Sequence, residues 1–155
     1  MSNRIALFPG SFDPITLGLV DIMKRAIPLF DRLIIAIGTN SQKQSLFTLD
    51  QRLEWLHQLF DQESSVEIAH YEGLTAHYCQ KIGAQYLIRG LRNGSDFDYE
   101  KTISHANEQV AQNLETIFFI AKPELSFISS TIVRELILGG ADVGAFVPDV
   151  VRLIK

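Results

Sequence analysis

Five apolar runs of strand length recur along the chain, at residues 5–8, 33–37, 66–69, 86–88 and 117–120, each rich in Ile, Leu, Val or Phe. Between them the apolar period changes. Val20, Met23, Ile27 and Phe30, and again Leu49, Leu53, Leu56 and Phe60, fall three or four residues apart, which gathers them on one helix face. Thr48 followed by Gln51 reads as a capping box that starts the second of these helices. Continuously apolar strands alternating with amphipathic helices predict an α/β, Rossmann-like domain: a five-stranded parallel sheet with helices on both faces, wound by right-handed crossovers. Pro148 before DVVRLIK predicts a short terminal helix within residues 142–155. No repeat, low-complexity tract or long linker divides residues 1–155, which read as one domain.

The totals narrow the class of ligand. A chain of 155 residues can bury roughly two-thirds of the surface its unfolded form exposes. Its 46% hydrophobic and 21% charged content is that of an ordinary soluble globular protein. The formal charge of -4 offers no general attraction for nucleic acid or an anionic membrane, so a phosphate ligand must be met by local cationic clusters. The single cysteine, Cys79, excludes an internal disulfide and has no Cys/His metal spacing around it. With no basic-then-apolar leader and no run of membrane-span length, the expected location is the cytoplasm.

In an open α/β sheet the ligand sits beyond the carboxyl ends of the strands, so the strand-to-helix loops are where chemistry is expected. In PGSFDPITLG, Gly10 lets a ligand approach the backbone, Ser11 supplies a hydroxyl, and the next helix start favours an anion. The loop is neither a Walker loop nor a GxGxxG fingerprint, and by itself a Gly/Pro turn before a helix is more often plain connection. In LIRGLRNGSDFDYE, Arg89 and Arg92 at a strand end suit a phosphate. Pairing with Asp96, Asp98 or Glu100 is the open alternative. Lys43 either reaches the same centre or is simply solvated. In SFISSTIVRE, Ser129, Ser130 and Thr131 serve as helix caps or as a second anion site. His57, His70, His77 and His105 show no ligand pattern and are assigned to no catalytic role. Trp55 and the phenylalanines read as core or subunit contacts.

PGSFDPITLG, IRGLRNGSDFDYE and FISSTIVRE, in that order over nearly the whole chain, together resemble the bacterial phosphopantetheine adenylyltransferases of the HxGH nucleotidyltransferase superfamily. The resemblance implies transfer of an adenylyl group from ATP to 4'-phosphopantetheine, giving dephospho-coenzyme A and diphosphate, with Mg2+. It further implies a homohexamer and feedback by coenzyme A. Position by position, Ser11 matches the residue that touches both substrates, and Lys43, Thr75 and Arg89 match positions around phosphopantetheine. Ser11, Phe12, Leu19, Gly90, Leu91, Arg92 and Glu100 match ATP-binding positions, as do Leu125, Ser126, Phe127, Ile128, Ser129, Ser130 and Thr131. Lys43 and Arg92 are the groups expected to stabilise the charge of the transfer.

One position departs from the family pattern. Where the motif reads TxGH, this chain reads Thr16, Leu17, Gly18 and Leu19, and by resemblance the missing His donates a hydrogen bond to the transition-state phosphate. Loss of one such donor typically costs about 10²- to 10³-fold in rate, or roughly 3 to 4 kcal/mol. Leu19 also keeps helical spacing with Ile22, Met23 and Ala26, so periodicity does not flag it. An engineered substitution, a natural sequence compensated elsewhere, and a protein kept for binding all fit. Retention of the other motif positions favours a weakened enzyme over a catalytically silent nucleotide- or coenzyme-A-binding module. Another HxGH nucleotidyltransferase, acting on nicotinamide mononucleotide or glycerol 3-phosphate, is the alternative within the class.

Overall fold

A computed structural model describes residues 3–40 and 42–151. All five expected strands form: β1 (Ile5–Gly10), β2 (Arg32–Thr39), β3 (Val66–Glu72), β4 (Tyr86–Leu91) and β5 (Glu115–Ile120). Each is longer than its apolar run, and β1 to β4 extend at the carboxyl end through residues such as Pro9, Gly10, Arg89 and Gly90. There the ladder continues past the apolar core, so the backbone stays extended while the side chains turn polar or vanish.

The sheet is wholly parallel, in the order β3-β2-β1-β4-β5. Five helices connect or follow the strands: α1 (Leu17–Ala26), α2 (Leu49–Phe60), α3 (Thr75–Ile82), α4 (Gly94–Val110) and α5 (Ser130–Leu138). Strand side chains alternate between two cores. Phe8, Ile35, Ile37 and Ile88 meet α1, α2 and α5 through Met23, Trp55, Leu56 and Val133. Leu7, Ile34, Ala36 and Leu87 meet Ala76 and Cys79 of α3, with Ala111 and Leu114 beyond α4. Both faces of β1 and β2 are therefore dry, which is why they read as continuous apolar runs rather than alternating ones, while β3 and β5 at the sheet edges are only partly buried. Burial pushes the Cys79 thiol up to about 11, marking it as a packing residue rather than a nucleophile.

One helix expectation needs correction, and a second falls partly outside the described residues. The first helical period extends to Phe30, but α1 ends at Ala26 and passes into a 3-10 turn, Ile27–Leu29. Pro28 lacks the N–H that a further α-turn would need. Phe30 is buried all the same, with its ring 5.5 Å from that of Tyr86. The expected terminal helix is a three-residue 3-10 turn, Asp149–Val151, as far as it can be followed; residues 152–155 of that expectation lie outside the described residues. The α2 start is as expected, with the Thr48 hydroxyl accepting the Gln51 N–H at 3.1 Å.

Candidate active site

β1 has β2 on one side and β4 on the other. The connections that follow β1 and β2 lead toward one edge, and that following β4 leads toward the other, so the chain reverses its winding between β1 and β4. Crossovers of one hand then place the two sets of helices on opposite faces, and a cleft opens where the loops diverge. Two cavities occupy it.

Cavity A, of about 240 Å³, runs from the end of β1 across the start of α1 to the start of α5. Its wall holds Phe8, Gly10, Ser11, Phe12, Gly18, Leu19, Ile22, Gly90, Arg92, Ala121, Leu125, Ile128 and Ser130. Cavity B, of about 510 Å³, lies on the other side of β1 and holds Lys43, Tyr71, Leu74, Thr75, Tyr99, Glu100, Ser104 and Asn107. Pro9, Gly10, Ser11 and Arg89 line both. The two spaces thus share one wall, built from the ends of β1 and β4. A third cavity, of about 540 Å³, lies between the end of α5 and the segment 140–151. Its described lining contains Asp142 and Asp149 but no Lys or Arg, so it offers nothing to a phosphate.

Local sequence explains the shape of cavity A. Phe12 takes a left-handed backbone, φ 46°, a conformation unfavourable for a residue with a side chain. It drives the ring into the core beside Phe8, leaving Phe12 only 3% exposed. A Cβ on Gly10 would lie 2.6 Å from that ring. Gly10 is thus required by the packing of Phe12, a reason additional to the ligand approach its sequence context suggests. Gly90 faces α1 less tightly, because a Cβ there would meet the Cδ1 methyl at the end of the Ile22 side chain at 2.6 Å and otherwise nothing closer than 3.9 Å. The helix starts facing the cavity are capped by Thr16, whose hydroxyl accepts the Leu19 N–H at 3.3 Å, and by Ser129, which accepts the Ile132 N–H at 3.1 Å. Capping takes up the Leu19 and Ile132 N–H groups, and the Leu17 N–H goes to the Phe146 carbonyl, so Gly18 and Ser130 are the residues whose first-turn N–H groups remain for an anion in cavity A.

The two arginines of the cleft are paired with acids of α4. Arg89 lies inside β4 rather than at its end, and its Nε and Nη2 donate to the two Glu100 oxygens at 3.0 and 2.8 Å. Its Nη1 donates to the Pro9 carbonyl at 3.0 Å, tying β4 to the end of β1. Arg92 donates from Nε and Nη2 to Asp96 at 2.9 and 3.1 Å, and those hydrogen bonds hold the Asp96 carboxyl below its usual range. The pairing alternative is therefore realised for both arginines. Neither is spent by it, since a guanidinium carries five N–H donors and both side chains line the cleft. In cavity B the Tyr71 and Thr75 hydroxyls lie 2.8 Å apart, and burial raises the Tyr71 pKa.

Ser11, Lys43, Thr75 and Arg89 all meet in cavity B, and Ser11, Phe12, Leu19, Gly90, Arg92, Leu125, Ile128 and Ser130 in cavity A. Glu100 lines cavity B rather than A. Leu91, Ser126, Phe127, Ser129 and Thr131 line neither. Ser126 instead donates to the Pro123 carbonyl, Thr131 accepts from Arg134, and Phe127 stands edge-on to Phe146. All four histidines are exposed. Sequence reasoning missed Asp13 and Arg52, which are 4% and 6% exposed beneath the cleft. Arg52 carried a usable signal, because it falls on the same helix face as Leu49, Leu53 and Leu56, where a charge needs a reason.

Residues 7–136 match the Cytidylyltransferase-like family. The chain is 50% identical over 150 residues to the phosphopantetheine adenylyltransferase of Flavobacterium psychrophilum, covering 97% of this chain and 99% of that one. It is 47% identical over 149 residues to the enzyme of the same name from Leptospira biflexa strain Patoc 1 / Ames, covering 96% and 93%. The chain belongs to the phosphopantetheine adenylyltransferase family. A crystal structure described as a putative nicotinate-nucleotide adenylyltransferase from Vibrio parahaemolyticus superposes with a TM-score of 0.70 at 16% identity, covering 96% of this chain and 90% of that one. That likeness bears on the fold alone.

Leu19 is half-buried, packs against the core of α1 and lines cavity A, where its side chain has no proton to donate. Among the described residues, no group of three or more His, Cys, Asp or Glu is placed to hold a metal ion. No described helix is long and apolar enough to cross a membrane.

Proposed function

We propose that the cleft joins ATP and 4'-phosphopantetheine, with ATP in cavity A and the phosphate end of phosphopantetheine in cavity B. A phosphate oxygen of phosphopantetheine attacks the α-phosphorus of ATP, the bond to the β-phosphate oxygen breaks, and dephospho-coenzyme A and diphosphate leave. The observation that carries this reading is the shared wall. Pro9, Gly10, Ser11 and Arg89 belong to both cavities, so occupants of the two meet there without passing through solvent. Such a transfer needs in-line placement and charge stabilisation rather than a covalent enzyme intermediate.

In this reading the N-termini of α1 and α5 receive the ATP phosphates, with Arg92 beside them. Lys43 and Arg89 receive the attacking phosphate, and Ser11 stands between. The acids nearest the shared wall are committed to arginines, so the cleft residues do not compose a magnesium site of their own. The magnesium that family membership implies is taken as part of the substrate, carried by the ATP phosphates and water. Leu19 removes a donor at the nucleotide side, so ground-state binding is retained while turnover falls. Residues 1–155 act as one cytoplasmic nucleotidyltransferase domain, assembling as a homohexamer and inhibited by coenzyme A; these last features rest on the family resemblance.

Calorimetry with each substrate, followed by chromatographic detection of dephospho-coenzyme A, tests the reading. Both ligands should bind, and product should accumulate slowly at high enzyme concentration. Failure of phosphopantetheine to bind, with nicotinamide mononucleotide or glycerol 3-phosphate binding instead, would overturn the assignment of cavity B. Binding of both substrates without any product would favour the silent module.

A further inference from the structure

Cavity B receives Ser11 and Lys43 from two loops that contain no helix or strand, residues 11–16 and 42–48. A buried polar knot joins these loops, and the transfer chemistry makes no use of it. Asp13 accepts the Leu46 N–H at Oδ2, 2.8 Å, and the Phe47 N–H at Oδ1, 2.9 Å. Arg52 of α2 donates from Nε to the Phe47 and Thr48 carbonyls at 3.2 and 3.3 Å, and from Nη1 to the Ser11 carbonyl at 2.8 Å. Burial pulls the Arg52 pKa down, and the charge of Asp13 opposes the change. From the other side, Arg134 donates to the Asp13 carbonyl at 2.9 Å.

Both charges are almost fully buried, a costly placement unless their hydrogen bonds are met. Their direct bonds run to backbone groups of the two loops, whereas α2 is held to the core by Trp55, Leu56 and Phe60. The knot therefore contributes direction to the loops more than cohesion to the fold. Lys43 lies between its pins: its own N–H donates to the Asn40 carbonyl at 3.0 Å, and the Asp13 contacts begin at Leu46. The Ser11 carbonyl, fixed by Arg52, is the opposite pin.

We propose that Asp13 and Arg52 are positioning residues that hold Lys43 and Ser11 at a set separation across cavity B, an inference that rests on the adenylyl-transfer reading above. Asp13→Asn keeps the shape but turns an amide donor toward one of the two N–H groups. Arg52→Lys keeps the charge but cannot reach the three carbonyls from one ammonium.

The test is a double-mutant cycle of Asp13→Asn with Lys43→Ala, read as the Kd of 4'-phosphopantetheine by calorimetry, with thermal midpoints as controls. Turnover is followed in parallel in a Leu19→His background. If Asp13 acts through Lys43, Asp13→Asn alone weakens binding or turnover roughly ten- to a hundred-fold. Added to Lys43→Ala, it costs less than about twofold more. Arg52→Lys gives a smaller effect with the same dependence on Lys43, and carries the cycle if Asp13→Asn does not fold. An equal factor with and without Lys43 would mean general loosening and would overturn the inference while leaving the reaction intact. Absence of phosphopantetheine binding by the unaltered protein would instead remove the reaction reading, and the inference with it.

Discussion

Cavities A and B share a wall but are built from different materials. B is walled by side chains that carry charge or a hydroxyl, Lys43, Arg89, Thr75 and Glu100 among them. Among the described residues, A is walled mainly by glycines, apolar side chains and helix N-termini, with Ser11, Ser130, Arg92 and the shared Arg89 as its polar side chains. Recognition in B rests on identifiable side chains, so each change there has a local cost. Under the proposed function, anion recognition in A falls largely to backbone at the starts of α1 and α5, in a wall shaped by the packing of Gly10 under Phe12. A leucine can therefore stand at residue 19 without disturbing the fold, and under the proposed function its effect falls on chemistry rather than on folding.

Lys43→Ala separates the two cavities most sharply. It is expected to lower kcat about 10²- to 10³-fold while ATP affinity by calorimetry stays unchanged, because Lys43 lines only B. An equal loss of ATP binding would mean that the division is false. Glu100→Ala should act on stability first, leaving Arg89 unpaired across the strand. The expected loss is about 2 kcal/mol, less than the roughly 3–5 kcal/mol of a fully buried broken pair, since the Arg89 side chain is 32% exposed. Urea denaturation midpoints measure it, and an unchanged midpoint would show that the pair is only a surface contact.

The smallest effect concerns Arg92 and Asp96 at the edge of A. The Asp96 pKa is depressed in the folded protein by its hydrogen bonds to Arg92. Its contribution is therefore complete above the unfolded value of about 3.9 and fades as the pH falls through the lower folded value. The stability difference between the chain and Asp96→Asn should be constant from about pH 5 to 8 and shrink below about pH 4. Denaturation midpoints across that range would contradict the pairing if the difference stayed constant to the acid end.

The sheet was legible because burial on both faces makes β1 and β2 read as unbroken apolar runs, and the cleft was legible because loops at the carboxyl ends of parallel strands converge. Strand ends were less legible. Ladder bonds continue through Pro9, Gly10, Arg89 and Gly90 with no apolar side chain to announce them. Sequence put Arg89 and Arg92 at the cleft but left open their pairing with Glu100 and Asp96, since a choice among three nearby acids depends on the turn at Asn93, whose side chain accepts the Asp96 N–H. Asp13 and Arg52 escaped because the bonds by which they join the two loops reach backbone groups 33 to 41 residues distant, a relation no local pattern encodes. Leu19 presents the reverse case: its packing is ordinary, and only the motif order marks it.

The central claim is that this cleft is complete for binding and lacks one hydrogen-bond donor for turnover. Steady-state formation of dephospho-coenzyme A from ATP and 4'-phosphopantetheine, by the chain and by its Leu19→His variant, tests it most directly. The account predicts a rise in kcat of about 10²- to 10³-fold, with substrate affinities by calorimetry changed little. A variant no faster than the chain, while still folded and binding both substrates, would contradict it.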